Sequence, residues 1–277
     1  MTLSVRNNIL KVGIGLSAIF LCFVLYGGYL AFDAFPGAAA SSIQRANGIV
    51  PVLSISQAEP SAYVPFWAAV VVSGFSFFSL ILIYYFFGKT QSPEIFFIAL
   101  FVFSLAFEIV RVAVPLRMVY SFPASYLINT AKILFFCRCF GLFALFTASV
   151  YAAGMDAQKQ QILFIPLVLA SLLFAMNVSE DVLVWNSTFV LWNGYKAVIS
   201  KAEMSIIAVT VLTFFISAYT SGFKNYLFVG IGTLFAFLGR DILINSDNWI
   251  TPIPGLVFLV FGVWFACSHL RKVYLWL

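Results

Sequence analysis

Eight stretches of mostly apolar residues, each about as long as a bilayer-spanning helix, are separated here by short polar breaks. No soluble core can absorb that many. Hydrophobic residues make up 63% of the chain and charged residues 9%, where an ordinary soluble domain carries about 25% charged residues. The mean hydropathy is +1.04. A soluble chain so composed could not cover its own surface with polar groups, so the solvent it meets is lipid.

The stretches run Val12–Phe32, Tyr63–Phe87, Pro93–Pro115, Ser125–Ala153, Ile162–Asn177, Ala202–Tyr219, Tyr226–Ile244 and Ile253–Tyr274. The expected fold class is all-α: a polytopic transmembrane bundle of eight spans. Its domain order is a membrane anchor in 1–32, an external loop in 33–62, and a seven-helix bundle in 63–277 with an external loop in 178–200. Arg6 and Lys11 ahead of an apolar stretch also suit a signal peptide, with Ala38-Ala39-Ala40 as small residues for cleavage. A cleavable apolar region is typically ~7–15 residues. This one is longer, and the Ala triplet lies beyond Asp33 and Pro36, so an uncleaved anchor is expected.

Lys and Arg set the orientation. Eight alternating spans put Arg6, Lys11, Lys89, Lys159, Lys224, Arg271 and Lys272 on one side. The other side receives Arg45, Arg117 and Lys196, with Lys201 at its edge, and the acids Asp33, Glu59, Glu180, Asp181 and Asp247. Both termini are therefore expected in the cytoplasm, and the protein in a bacterial cytoplasmic membrane. Trp67, Trp185, Trp192 and Trp249 fall near the outer boundary, where an aromatic belt belongs. The net charge of +5 does not point to nucleic acid, because the basic residues are scattered singly.

The second outer loop is β-branched and aromatic from Val182 to Trp192, with Asn186-Ser187 in its middle and Asn193-Gly194 at its end. Asn-Gly favours a tight turn. One reading is a small external cap, a hairpin over the mouth of the bundle. The other is an interfacial segment held among headgroups by its tryptophans.

Charges inside the spans carry the functional information. Glu108 and Arg111 lie in the third span, Lys132 and Arg138 in the fourth, Glu203 at the start of the sixth, and Arg240 and Asp241 in the seventh. A central charge costs at least ~2.5–3.5 kcal/mol on insertion scales, so such residues face inward and find partners. At ~1.5 Å of rise per residue, Glu108, Lys132, Arg240 and Asp241 converge on one layer about a third of the way down from outside. Arg111 and Glu203 sit just above it. Arg138 sits deeper and does not share a face with Lys132, so it is expected to serve a different contact. Four positive residues (Arg111, Lys132, Arg138, Arg240) face three negative ones (Glu108, Glu203, Asp241). The candidate ligand-binding set is Glu108, Arg111, Lys132, Glu203, Arg240 and Asp241. It forms an outward-facing polar pocket whose excess positive charge favours a small anion or an anionic lipid headgroup. A purely structural ion network is the competing reading.

No catalytic, metal, nucleotide or cofactor motif is present. The cysteines Cys22, Cys137, Cys139 and Cys267 all lie in apolar runs, and the single histidine, His269, is near the C-terminus beside Arg271 and Lys272. The expected role is a non-enzymatic receptor, accessory or assembly component, with the bilayer and another membrane protein as partners. A small transporter or permease-like subunit is the alternative. A membrane enzyme acting on a lipid-linked substrate is the third reading, with Glu108 and Arg111, or Asp241, as its acid–base group. Reporter fusions at Lys89 and at Lys224 are expected to report the same compartment. Opposite compartments would dissolve the depth match between the charged helices.

Overall fold

The computed structural model describes residues 3–38, 61, 63–88, 92–156, 160–177, 185–191 and 196–275. Long helices dominate them: α1 (Leu3–Leu30), α2 (Val64–Phe87), α3 (Pro93–Tyr120), α4 (Ala124–Ala152), α5 (Gln160–Met176), α6 (Lys196–Ser221), α7 (Asn225–Ile244) and α8 (Pro252–Leu275). Among the described residues no strand occurs, and the β pairing is one isolated antiparallel bridge, Trp185 with Leu191. Seven of these helices are long and apolar enough to cross a membrane; α5, with 17 residues, is shorter. Large apolar side chains stand exposed around the bundle, among them Tyr29, Phe78, Leu173, Ile216, Tyr219 and Trp264. A water-soluble monomer rarely tolerates so much exposed apolar surface.

Three helix boundaries differ from the hydropathy reading, each for a local reason. Helix α1 starts at Leu3 instead of Val12, because Arg6 is buried and donates to the carbonyls of Gly88 (3.2 Å) and Ser92 (3.4 Å). Helix α6 begins at Lys196 instead of Ala202; Lys196, Ser200 and Lys201 in its first two turns lower the local hydropathy without preventing helix formation. Helix α3 continues past Pro115 by changing its winding. Residues Pro93–Leu105 are α-helical, Ala106–Val112 form a 3-10 helix, and Ala113–Tyr120 resume the α-helix. Pro115 has no N–H for the carbonyl four residues back, and the β-branched Ile109, Val110, Val112 and Val114 lower helix propensity. The chain tightens instead, with Ala113 N–H donating to the Val110 carbonyl.

Side-chain contacts order the two ends of the bundle. At the end where α1 starts, Ser92 caps α3 by accepting from Ile95 N–H at 3.3 Å. Glu94, 1% exposed, accepts from Ser92 Oγ at 2.8 Å and from Tyr274 OH at 2.7 and 3.0 Å. Phe97 stacks on Tyr151, Ser217 Oγ donates to the Ala152 carbonyl, and His269 Nδ1 lies 3.4 Å from Asn225 Oδ1. At the opposite end Phe35 packs on Tyr63, Phe66 and Phe189. Helix α5 packs on α4 and lies in sequence between Ala152, at the first end, and Trp185, at the second.

Helices α7 and α8 pack so closely that backbone meets backbone. A Cβ on Gly232 would lie 2.9 Å from the nitrogen of Ala266, and one on Gly239 would collide with the backbone of Leu259 and Gly255. Gly262 faces Ala236 in the same way. Such small-residue seams let membrane helices gain dispersion contacts without a hydrophobic driving force between them. A second close approach holds α3 to α4, where a Cβ on Gly141 would strike Ser104. Gly239→Val is therefore expected to destabilise the bundle by about 3 kcal/mol or more, since backbone cannot yield as a side chain can. Unfolding of the purified protein in detergent measures this; an unchanged transition would refute the seam.

Candidate functional site

The seam and the Gly141 contact fix three helices around one group of charges. Gly141 lies one turn beyond Arg138 on α4, and Ser104 one turn before Glu108 on α3. Their close approach brings the two charged side chains together. Glu108 is 2% exposed, and both of its carboxylate oxygens are engaged. Arg138 donates from Nε to Oε1 and from Nη2 to Oε2, each at 2.8 Å. Arg111 donates from Nε to Oε2 at 2.6 Å. The 3-10 winding explains the shortness of that last contact. Side chains three apart eclipse one another in a 3-10 helix, so Glu108 and Arg111 stack directly. Arg111 is itself 2% exposed. The expectation that Arg138 serves a separate contact is overturned: its long side chain makes up the depth difference and binds Glu108.

A cavity of about 140 Å³ lies beside this network, between α4, α6 and α7. Arg138, Glu203, Arg240 and Asp241 supply its charges, Ser200 and Asn245 further polar groups, and Leu134, Phe135, Ile199 and Ile244 its apolar wall. Of the six residues expected to form a site, Glu203, Arg240 and Asp241 line the cavity, while Glu108 and Arg111 stand behind Arg138. Lys132 is on α4 but does not line it. Arg240 and Asp241, adjacent on α7, both face the cavity. Sequence reasoning missed Ser200 and Asn245, exposed neutral polar residues at helix ends that carry no signal of lining a cavity.

The hydrogen bonding of the two cavity arginines differs. Arg138 spends two of its nitrogens on Glu108. Arg240 is 3% exposed and makes no hydrogen bond among the described residues. Its ion pair there is loose, 3.8 Å from Nη2 to Glu203 Oε1. Asp241 accepts from Asn245 Nδ2 at 3.0 Å.

The cavity's roof comes from the 185–191 segment. Asn186 N–H donates to the Val190 carbonyl at 2.9 Å and Phe189 N–H to the Asn186 carbonyl at 3.0 Å, closing a tight loop. The turn sits at Asn186–Phe189; Asn193-Gly194, the turn the sequence favours, lies outside the described residues. Phe189 takes a left-handed φ of 57°, a strained geometry for a bulky residue that its burial against Phe35 over-determines. Trp185 is buried, not belted at a lipid boundary: its Nε1 donates to the Ala38 carbonyl at 3.1 Å. Ser187 Oγ donates to Asp247 Oδ1 at 3.0 Å, and Asp247 also accepts from Ser61 N–H at 3.3 Å. Asn186, Thr188, Val190 and Leu191 thus close over the charges.

An apolar helical bundle with seven helices long enough to cross a bilayer is the architecture of a multi-pass integral membrane protein. Comparison with known families, curated proteins and solved structures found no match to this chain.

Glu108 and Arg240 should respond differently to charge removal. Glu108→Gln leaves two buried guanidiniums facing each other, which is expected to cost about 3–5 kcal/mol and to deplete the protein from the membrane. Arg240→Met removes a group with no hydrogen bond among the described residues, and the carboxylates it leaves, Glu203 and Asp241, line the cavity, so abundance is expected to fall less. Immunoblots of membrane fractions compare the two; equal depletion would make Arg240 a structural ion.

Proposed function

We propose that this chain is a non-enzymatic membrane receptor, accessory or assembly component that binds a small charged ligand in the capped cavity, with Arg240 as its anchor. The observation that carries this reading is a nearly buried guanidinium that lines a cavity and has no hydrogen-bond acceptor among the described residues. Arginine donors ordinarily find acceptors, and those of Arg240, unlike the sealed and unbonded Nη1 and Nη2 of Arg111, open on a cavity, which makes that space complementary to an anionic group. The bilayer and a second membrane protein are the partners in this proposal.

In this reading the chain crosses the membrane eight times with both termini in the cytoplasm. Helix α5 is ~25 Å long at 1.5 Å per residue, the short limit for a span, and it connects the two ends of the bundle. The α1-start end carries Arg6, Lys11, Lys224, Arg271 and Lys272, which supports a cytoplasmic placement for it. The cap then faces outward. The 3-10 stretch in α3 gives a second reading some support, that of a permease-like subunit, since interrupted helices recur at transporter binding sites. As an acid–base group for an enzyme, Glu108 has little to recommend it, with both oxygens held by arginines.

Access to the cavity tests the proposal. In a Cys22→Ser background, Ser200→Cys is expected to react with a membrane-impermeant maleimide applied from the cap side of sealed vesicles. Labelling only after detergent permeabilisation, or only from the other side, would remove the outward-facing pocket.

A further inference from the structure

The charges at the cavity cancel, and this restricts what can enter. Arg111, Arg138 and Arg240 are matched by Glu108, Glu203 and Asp241, three against three. Lys132, which tips the sequence count toward positive, does not line the space. A simple anion bound at Arg240 would leave one uncompensated negative charge at membrane depth. Such a charge costs at least ~2.5–3.5 kcal/mol unless it is paired, and its approach would also press on Glu203 and Asp241 at close range. A simple cation bound at Asp241 fails in the mirror sense. A ligand carrying both charges keeps the balance and satisfies both poles at once.

The two poles are present and separately available. Arg240 offers guanidinium N–H groups that have no hydrogen-bond acceptor among the described residues, and its partner Glu203 is 3.8 Å away. Asp241, the next residue on α7, has a neutral hydrogen-bond donor in Asn245 and also lines the space. The apolar lining comes from Leu134 and Phe135 of α4, Ile199 of α6, and Ile244 one turn along α7. The volume of about 140 Å³ is close to the ~150 Å³ of a cavity that accepts one benzene-sized molecule. That admits a small head with a short apolar appendage.

Resting on the ligand-binding reading above, we propose that the cavity takes a small zwitterion. Its carboxylate or phosphate pairs with Arg240, its ammonium pairs with Asp241, and any apolar part lies against α4 and α6. Two sources share that chemistry: a free amino acid, and the head of a zwitterionic phospholipid such as phosphatidylethanolamine.

Protection of Ser200→Cys, in the Cys22→Ser background, from maleimide separates the outcomes. The free probes are leucine, 4-methylpentanoate (leucine without its ammonium) and isopentylamine (leucine without its carboxylate). The lipid probes are nanodiscs of phosphatidylethanolamine or of phosphatidylglycerol. Leucine is expected to protect at a concentration at least tenfold below either single-charge analogue, or phosphatidylethanolamine to protect where phosphatidylglycerol does not. The first result marks a free solute and the second a headgroup. Arg240→Met is expected to abolish protection by either source. Asp241→Asn, which removes one negative charge, is expected to reverse the preference, so that 4-methylpentanoate outcompetes leucine. Equal protection by 4-methylpentanoate and leucine in the unsubstituted site would overturn the zwitterion while leaving an anion-binding cavity standing. Protection by phosphatidylglycerol with none from leucine or phosphatidylethanolamine would do the same. No protection by any probe, with the thiol still labelled, would overturn both the zwitterion and the cavity as a binding site.

Discussion

A carboxylate shared by two arginines deep among apolar helices is the interaction on which the remaining arrangement depends. Neither lipid nor an apolar core can solvate Glu108, Arg111 or Arg138, so each must find its counter-charge inside the protein. One carboxylate between two guanidiniums still leaves a positive excess, which Glu203 and Asp241 offset from α6 and α7 in the company of Arg240. The network therefore ties four helices electrostatically. Its net contribution to stability is small, because desolvation offsets most of the Coulomb gain. Its effect is on register: sliding α4 by one turn against α3 would strip Arg138 of both its hydrogen bonds to Glu108.

That register is set by devices that carry no charge. Gly141 lets α4 approach α3 closely enough for Arg138 to reach Glu108 with two parallel hydrogen bonds. Pro115 tightens α3 into a 3-10 winding just where Glu108 and Arg111 must superpose. On the far side, Gly239 and Gly262 seat α7 against α8. Arg240 follows Gly239 directly, so a residue about 100° around the helix from the seam is turned toward α6 and the cavity. Backbone chemistry at four uncharged positions thereby aims the charged side chains.

The helices were legible because hydropathy over a bilayer-length window is a strong signal. Depth counting, which converts sequence position into height through the rise per residue, put Glu108, Lys132, Arg240 and Asp241 in one layer with Glu203 just above it; Glu203, Arg240 and Asp241 line one cavity, and Lys132 does not. What failed was rotation about the helix axis. Lys132 and Arg138 point different ways on α4, and nothing in the charge pattern says which of them faces α3. Gly141 carried that information, since a small residue one turn from an arginine marks the face of closest approach, but the spans contain many glycines. Hydropathy also cut α6 short at Ala202, because Lys196, Ser200 and Lys201 are polar whether or not they are helical. The cap was half legible. Its β-branched and aromatic composition marked it as no ordinary loop, while the burial of Trp185 under Ala38 is a tertiary fact that no local pattern encodes.

The charges of this bundle sort into two kinds by hydrogen bonding and access, not by burial. Glu108, Glu94 and Arg240 are all at most 3% exposed. Glu94 receives hydroxyl donors from Ser92 and Tyr274 and joins α3 to the end of α8. Glu108 receives three guanidinium donors and joins α3 to α4. Arg111 also keeps two buried nitrogens, Nη1 and Nη2, without a partner, so an unbonded donor does not by itself mark a site. Arg240 is set apart by its place: it finds no acceptor at hydrogen-bond distance among the described residues, and it lines the cavity that the 185–191 segment covers. Donors that open on such a space can be satisfied by an incoming group, which the sealed nitrogens of Arg111 cannot. Access together with bonding therefore separates a receiving charge from a fastening one.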